Sequence, residues 1–230
     1  MSWMLPAPEG FQGFDPFKPV TVTHRHLPHW RQDGATYAVT FRQADSLPQS
    51  RLEELRILRR NWEDRHPEPR GEADWEEYAR TFTRHVDGWL DEGSGSCVFR
   101  DRANVEILAA ALLKFHGSRY HTGAYAIMPN HCHVVIRPYP NEDLGRLLKG
   151  IKGSASREIQ RRAGATGEHL WEQESYDRII RDEEHLAHVI AYTGANPKKA
   201  GLEKDVGWRC WVAEDWVQAG WHFDAFHERW

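Results

Sequence analysis

Hydrophobic residues recur along this chain at two spacings, which predict strands in some segments and helices in others. Residues 35–43 carry Tyr37, Val39 and Phe41 on alternate positions, the pattern of a half-buried strand. Residues 119–140 contain two apolar runs that flank a Met-Pro-Asn turn and end in a proline-rich stretch. The sequence therefore predicts one strand early in the chain and two adjacent strands near its middle.

Other stretches carry apolar residues at intervals of three and four, the spacing of amphipathic helices. They cover residues 51–66, 75–91, 101–116, 144–162 and 182–195. The last helix is predicted to stop at Asn196 and Pro197, because proline disfavours the helical conformation in the residue before it. The order of elements predicts an α+β fold, in which helices pack on one face of an antiparallel sheet.

Composition fits one soluble globular domain. A chain of 230 residues buries a single core of ordinary size, and 40% hydrophobic with 28% charged residues is typical of a folded protein. Residues 1–30 are rich in Pro, Phe and His without a sustained period and are predicted to form an irregular arm. The net charge of -4 argues against an extended electrostatic contact with nucleic acid over the whole surface.

The cysteines indicate a reducing compartment. Cys97, Cys132 and Cys210 lack C-x-x-C spacing and are odd in number, which does not suit a disulfide framework. The first ten residues show no basic and apolar export signal, and the longest apolar run, 107–113, is too short to span a bilayer. We expect a cytoplasmic protein that does not contact a membrane.

Two histidines lie one residue apart in the third predicted strand. Side chains alternate across a strand, so His131 and His133 share one face while Cys132 shares the other with Val134 and Ile136. Two imidazoles side by side can chelate one divalent ion, and Cys132 cannot join them. The alternative is a pair of histidines on the solvated face of an edge strand, which is the commoner explanation for an isolated H-x-H.

The helix predicted from residue 182 carries three polar side chains in a row. His188, Tyr192 and Asn196 are spaced four residues apart, beside the apolar stripe of this helix. This row would lie at the edge of the core. A tyrosine that packs and an asparagine that ends the helix explain the same pattern.

A basic stripe follows one face of the helix predicted from residue 144. It consists of Arg146, Lys149, Arg157 and Arg161, opposite a row of leucines and isoleucines. A locally cationic surface suits phosphates even in an acidic chain, although a solvated charged face is the commoner role for such a helix.

Together these motifs resemble the REP-associated tyrosine transposases, which carry an HUH motif with a hydrophobic residue between two histidines. The matching segments are "LPHWRQDGATYAVTFRQADSLP", "MPNHCHVVI" and "WEQESYDRIIRDEEHLAHVIAYTGANPKKAGL", within residues 24–202. The resemblance implies a ferredoxin-like sheet in a single domain over 1–230. It makes residues 61–96 an inserted segment, and residues 203–230 an aromatic C-terminal extension that either reads DNA or caps the core.

The resemblance also assigns roles to residues. His131, His133 and Asn196 would bind Mg²⁺ or Mn²⁺, and Tyr192 would be the nucleophile, favoured over Tyr176 because a helix presents it together with Asn196. The enzyme would cleave and rejoin single-stranded DNA beside hairpin-forming palindromic repeats, leaving a 5′ phosphotyrosine and a free 3′ hydroxyl. His188 would contact DNA or assist proton transfer. The cations that would hold phosphates are Arg146, Lys149, Arg157, Arg161, Lys198 and Lys199.

Two other functions remain open on the sequence. One is a domesticated protein that binds DNA hairpins without cutting them. The other is a metal hydrolase that attacks RNA or nucleotides with water and needs no tyrosine. The resemblance favours a monomer over a homodimer.

Overall fold

The three predicted strands and five predicted helices occur in the predicted order, among further short elements. The computed structural model describes residues 5–24, 28–164 and 169–226. The strands are β1 Thr21–His24, β2 Pro28–Arg31, β3 Tyr37–Arg42, β4 Tyr120–Ile127, β5 His131–Pro138, β6 Tyr176–Ile179 and β7 Cys210–Val212. The α-helices are α1 Gln49–Arg65, α2 Glu72–Asp91, α3 Arg102–Leu113, α4 Leu144–Ala163, α5 Glu183–Lys199, α6 Val206–Arg209 and α7 Glu214–Gln218. Short 3-10 helices cover Val98–Arg100, Glu203–Asp205 and Phe223–Phe226.

The central sheet has the strand order β6-β3-β5-β4-β7, and each neighbouring pair is antiparallel. The predicted α+β class is confirmed. In chain order, β3, α3, β4, β5, α4 and β6 form the β-α-β-β-α-β unit of ferredoxin-like folds. The two histidine positions therefore lie on β5, in the middle of the sheet.

Both faces of the sheet are covered. On one face α3 and α4 pack against Cys132, Val134 and Ile136 of β5. On the other face α5 and the C-terminal segment pack against Val135. The prediction that helices lie on one face holds for α3 and α4 and is wrong for α5, because β4 and β5 are buried along almost their whole length and need cover on both sides.

Two local predictions are wrong. Helix α5 continues through Pro197 to Lys199, because Asn196 and Pro197 are buried in the packed last turn and Ala200 N–H still donates to the Asn196 carbonyl. The irregular arm expected over 1–30 contains the antiparallel pair β1 and β2. Residues 1–4 and 25–27 of this arm and 227–230 of the tail lie outside the described residues, as do 165–168.

The expected insertion, residues 61–96, contains the end of α1 and all of α2, which form a helical hairpin. The hairpin has small apolar clusters of its own, one around Trp62, Tyr78 and Phe82. Another joins Leu47 to Trp89 and Leu90. Its packing therefore sets α2 over the same face of the sheet as α5, where both helices line one cavity.

The aromatic tail caps the core. Trp216 and Trp221 are almost fully buried, and their indole N–H groups donate to the carbonyls of Glu9 and Pro6 in the arm. These tryptophans therefore take the packing role of the two that the sequence left open. Within residues 5–24, 28–164 and 169–226, no helix is both long and apolar enough to span a bilayer.

Gly194 allows the tail to approach α5. A Cβ atom at this position would lie 2.5 Å from the Phe223 Cβ atom, whereas one at Gly150 of α4 would meet nothing within 4 Å. We expect Gly194→Ala to lower the free energy of unfolding by about 1–2 kcal/mol through overpacking. Gly150→Ala should raise it by about 0.5–1 kcal/mol, the helix preference of alanine. Urea unfolding of both variants tests this, and equal stabilisation would contradict the close contact.

Candidate active site

A cavity of about 390 Å³ opens between α2, the sheet and α5. Its walls include side chains from β3, β5 and β6 below, and from the two helices on either side. Predicted site residues His133, Tyr192 and Lys199 line it together. Residues far apart in sequence thus share one concave surface, the usual setting of a functional site.

The histidines of β5 form a buried pair. The Nε2 atoms of His131 and His133 lie 3.0 Å apart, and both residues are at most 5% exposed. The Nδ1 atom of His131 lies 2.8 Å from the Asn130 amide oxygen, and that of His133 lies 2.9 Å from the Thr40 hydroxyl. The amide oxygen only accepts, so Nδ1 of His131 donates and its Nε2 keeps an electron pair. The hydroxyl can accept as well, which allows His133 to do the same.

Burial keeps both imidazoles neutral. It lowers the pKa of His131 well below its ordinary value, with the neighbouring His133 acting in the same direction. Burial, followed by the charge of Lys199, lowers the pKa of His133 to about 4. Neutral imidazole is the form that binds metal ions.

The donor set fits a divalent ion. The Nε2 atoms of the two neutral imidazoles face each other 3.0 Å apart, close enough for both to bind one ion. Asn196 is fully buried, and neither polar atom of its side chain has a hydrogen-bond partner among the described residues. Across the same part of the chain, no three His, Cys, Asp or Glu side chains converge as a metal site. The amide oxygen of Asn196 is thus the candidate for a third donor.

Tyr192 lies beside the histidine pair. Its ring contacts that of His133 edge to face, with centroids 5.6 Å apart. Its hydroxyl donates to the Asp87 carboxylate at 2.8 Å. Burial, followed by the charge of Asp87, raises the pKa of Tyr192 above its ordinary value, while the nearby Asn196 amide acts in the opposite direction. The phenol is therefore protonated at neutral pH and held in place.

The competing Tyr176 also lines this cavity, from strand β6. It falls on the same face because Thr40 of β3 pairs with both His133 and Tyr176. Two strand spacings of about 4.8 Å place its backbone about 10 Å from that of His133. Tyr192, in ring contact with His133, is the closer candidate nucleophile.

Of the cations that the sequence predicted to bind phosphates, Lys199 lies next to Tyr192, whereas the four on α4 lie on the other side of the sheet. The Lys199 ammonium lies 5.0 Å from the ring centroid of Tyr192, and Arg80 and Arg178 line the same cavity. Lys198 is exposed, and His188 lines the cavity one turn before Tyr192. The basic stripe on α4, Arg146, Lys149, Arg157 and Arg161, is exposed. Since α4 packs on the opposite face, the sheet separates this stripe from Tyr192.

Sequence reasoning missed three polar residues of the site. Thr40 and Asn130 hold the two imidazoles, and Asp87 binds the candidate nucleophile. Asn130 could have been inferred, because it directly precedes the H-x-H triplet. Thr40 and Asp87 belong to elements distant in sequence, and no spacing rule links them to β5 or α5.

Residues 102–195 match the family model described as "Transposase IS200 like". This segment carries the IS200-like transposase signature. It contains α3, β4, β5, α4 and β6. It ends within α5, three residues after Tyr192. The family resemblance inferred from the motifs is therefore confirmed, and the histidine pair and Tyr192 lie inside the matched residues.

A relative and a solved structure are also similar to this chain. A Haemophilus influenzae (strain ATCC 51907 / DSM 11121 / KW20 / Rd) protein, provisionally named REP-associated tyrosine transposase, is 23% identical over 115 residues. The alignment covers 46% of this chain and 61% of that protein. A structure of a REP-associated tyrosine transposase bound to a REP hairpin aligns with 80% of this chain and 78% of its own, at a TM-score of 0.45 and 14% identity.

Proposed function

We propose that this protein is a metal-dependent single-strand DNA endonuclease and strand transferase with Tyr192 as its nucleophile. The observation that carries the proposal is the contact of Tyr192 with His133, whose Nε2 atom faces that of His131. A nucleophile beside two neutral imidazoles is an arrangement suited to attack on a phosphodiester next to a bound cation. The IS200-like signature of residues 102–195 supports the same reaction class.

The proposed reaction uses the phenol of Tyr192. Its oxygen attacks phosphorus, the bond to the 3′ oxygen breaks, and a 5′ phosphotyrosine remains with a free 3′ hydroxyl. Phenolate leaves more readily than an alkoxide because the ordinary pKa of tyrosine is about 10, so a 3′ hydroxyl can reverse the step. Rejoining therefore needs no external energy source.

His131, His133 and Asn196 are the residues that would hold Mg²⁺ or Mn²⁺. The bound ion would stabilise the negative charge that develops on the phosphate oxygens. Thr40 and Asn130 orient the imidazoles through hydrogen bonds to Nδ1.

The proposed substrate is a single strand with a hairpin-forming repeat. Lys199, Arg80 and Arg178 would contact backbone phosphates near Tyr192, where they line the cavity. The exposed stripe on α4 would hold a more distant part of the DNA, on the other side of the sheet. Two separate cationic surfaces suit a substrate that has both a single-stranded and a folded part.

The α4 stripe gives a prediction for binding. Lys149 and Arg157 are exposed, whereas Arg161 forms an ion pair with Glu158 on the same helix. We expect the double variant Lys149→Gln with Arg157→Gln to bind the DNA hairpin more weakly. The slope of log Kd against log salt concentration should fall by about 1.4–1.8, the value for two lost phosphate contacts. Fluorescence anisotropy across salt concentrations measures both. Arg51→Gln, on the paired Arg51 of α1, is the control, and unchanged binding in the double variant would rule out this surface.

The proposed activity is tested with single-stranded oligonucleotides that carry a hairpin and a flanking single strand, incubated with Mg²⁺ or Mn²⁺. We expect cleavage together with a protein–DNA adduct that survives denaturation. Binding without cleavage would support the domesticated binding protein. Cleavage without an adduct would support attack by water.

A further inference from the structure

The helical hairpin formed by α1 and α2 places a carboxylate next to the hydroxyl of the candidate nucleophile. Asp87 lies in the last two turns of α2, and its Oδ2 atom accepts the hydrogen bond of the Tyr192 hydroxyl at 2.8 Å. Tyr192 lies on α5, 105 residues further along the chain. The family-matched segment, 102–195, does not include α2, so this contact joins that segment to a part of the chain outside it.

The surroundings of Asp87 suit a proton acceptor. Burial raises the pKa of Asp87 to about 6, the Tyr192 hydroxyl and Lys199 act to lower it, and Asp91 acts to raise it. The carboxylate is therefore mostly ionised at neutral pH and a stronger base than an ordinary aspartate. Tyr192, whose hydroxyl donates to this carboxylate, must lose its proton in order to attack phosphorus.

We propose that Asp87 is the general base that takes the proton of the Tyr192 hydroxyl during cleavage and returns it during rejoining. This inference rests on the proposed function. As the Tyr192 oxygen bonds to phosphorus, its proton passes to Asp87, and the departing 3′ oxygen takes a proton from water. Asp87 then passes its proton through water to replace the one that the 3′ oxygen took, so its carboxylate is ionised again. In the reverse step the attacking 3′ hydroxyl gives its proton through water to Asp87, and Asp87 protonates the phenol oxygen as that oxygen leaves phosphorus.

Asp87 is better placed for this role than His188, which the sequence suggested. His188 precedes Tyr192 by one helical turn and lines the cavity, but the hydroxyl of Tyr192 points to Asp87. A general base must lie within hydrogen-bond reach of the proton that it removes, at about 2.6–3.2 Å. Helix α2 therefore both lines the cavity and contributes Asp87 to the site.

A purely structural role for this hydrogen bond makes a different prediction. In Asp87→Asn the amide oxygen can still accept the hydrogen bond and keep α2 in contact with α5, but the side chain cannot take a proton. Asp91 follows Asp87 by one turn and lines the same cavity, so Asp91→Asn removes a similar charge from the same helix. Comparison of the two variants separates basicity from charge and from packing.

The test measures the rate of adduct formation on a hairpin oligonucleotide with Mn²⁺ for the wild-type protein, Asp87→Asn, Asp87→Ala and Asp91→Asn. We expect Asp87→Asn to be slower by roughly 10²-fold or more, the usual contribution of a general base, and Asp91→Asn to stay within a few-fold of wild type. Hairpin affinity and the Mn²⁺ concentration at half-maximal rate should be unchanged in Asp87→Asn. Added formate should restore adduct formation to Asp87→Ala at constant ionic strength, and should not restore it to Tyr192→Phe.

Several outcomes would overturn the inference. These are a wild-type rate in Asp87→Asn, an equal loss in Asp91→Asn, an Asp87→Ala rate that does not respond to formate, or a shift of the Mn²⁺ requirement that makes Asp87 a metal ligand. All of them presuppose an adduct in the wild-type protein. If the wild-type protein forms none, the proposed function itself fails.

Discussion

Tyr192→Phe is expected to abolish covalent attachment of DNA to the protein, while binding of hairpin DNA persists. Phenylalanine keeps the ring contact with His133 and removes only the attacking oxygen. The adduct should fall by roughly 10³-fold or more, since enzymes that lose their nucleophile lose most of their rate enhancement. Denaturing electrophoresis of the protein with a 5′-labelled and a 3′-labelled oligonucleotide measures the adduct and identifies the strand end it carries.

Tyr176→Phe is the matched control. It removes the same atom from a second tyrosine that lines the same cavity and whose backbone lies about 10 Å from that of His133. We expect its adduct yield to stay within a few-fold of wild type. An adduct lost in Tyr176→Phe and kept in Tyr192→Phe would exchange the roles of the two residues.

The second large effect is expected at the histidine pair. His131→Ala and His133→Ala each remove one of two neutral imidazoles whose Nε2 atoms lie 3.0 Å apart. We expect each to lower metal-dependent cleavage by roughly 10²-fold or more, because the charge on the phosphate loses its electrostatic stabilisation. EDTA should have the same effect on the wild-type protein and leave hairpin binding intact. Cleavage that persists in EDTA would contradict the metal requirement.

Thr40→Val provides a graded version of this test. Valine has the shape of threonine but cannot hydrogen bond to Nδ1 of His133, so the imidazole is present and less well oriented. Loss of such an outer partner typically costs about 10–100-fold in metal affinity or activity. We expect the Mn²⁺ concentration at half-maximal rate to rise by that factor. An unchanged value would mean that Thr40 does not position the metal site.

The sequence predicted those parts of the site that depend on local periodicity. Alternation along β5 placed His131 and His133 on one face and Cys132 on the other, and helical spacing placed Tyr192 and Asn196 on one line. Both patterns hold because β5 and α5 are regular elements with buried faces. The apolar faces of α3 and α4, which helical spacing also predicted, pack against the face of β5 that carries Cys132.

What periodicity could not predict depends on tertiary packing. Asp87 reaches Tyr192 only because the clusters around Trp62 and Leu90 set α2 over the sheet. Pro197 does not end α5, because the last turn is buried. Glycine is unfavourable inside a helix, but position 194 of α5 needs it because Phe223 of the C-terminal tail leaves no room for a side chain. In each case the decisive partner lies on another element, and a single sequence carries no record of that contact.

The most direct test of the account identifies the amino acid that carries the DNA. The wild-type protein is allowed to react with a hairpin oligonucleotide and Mn²⁺, the DNA is trimmed with nucleases, and the modified peptide is sequenced by mass spectrometry. The account predicts a nucleotide attached through its 5′ phosphate to Tyr192. A nucleotide on Tyr176 or another residue, or cleaved DNA with no modified peptide, would contradict it.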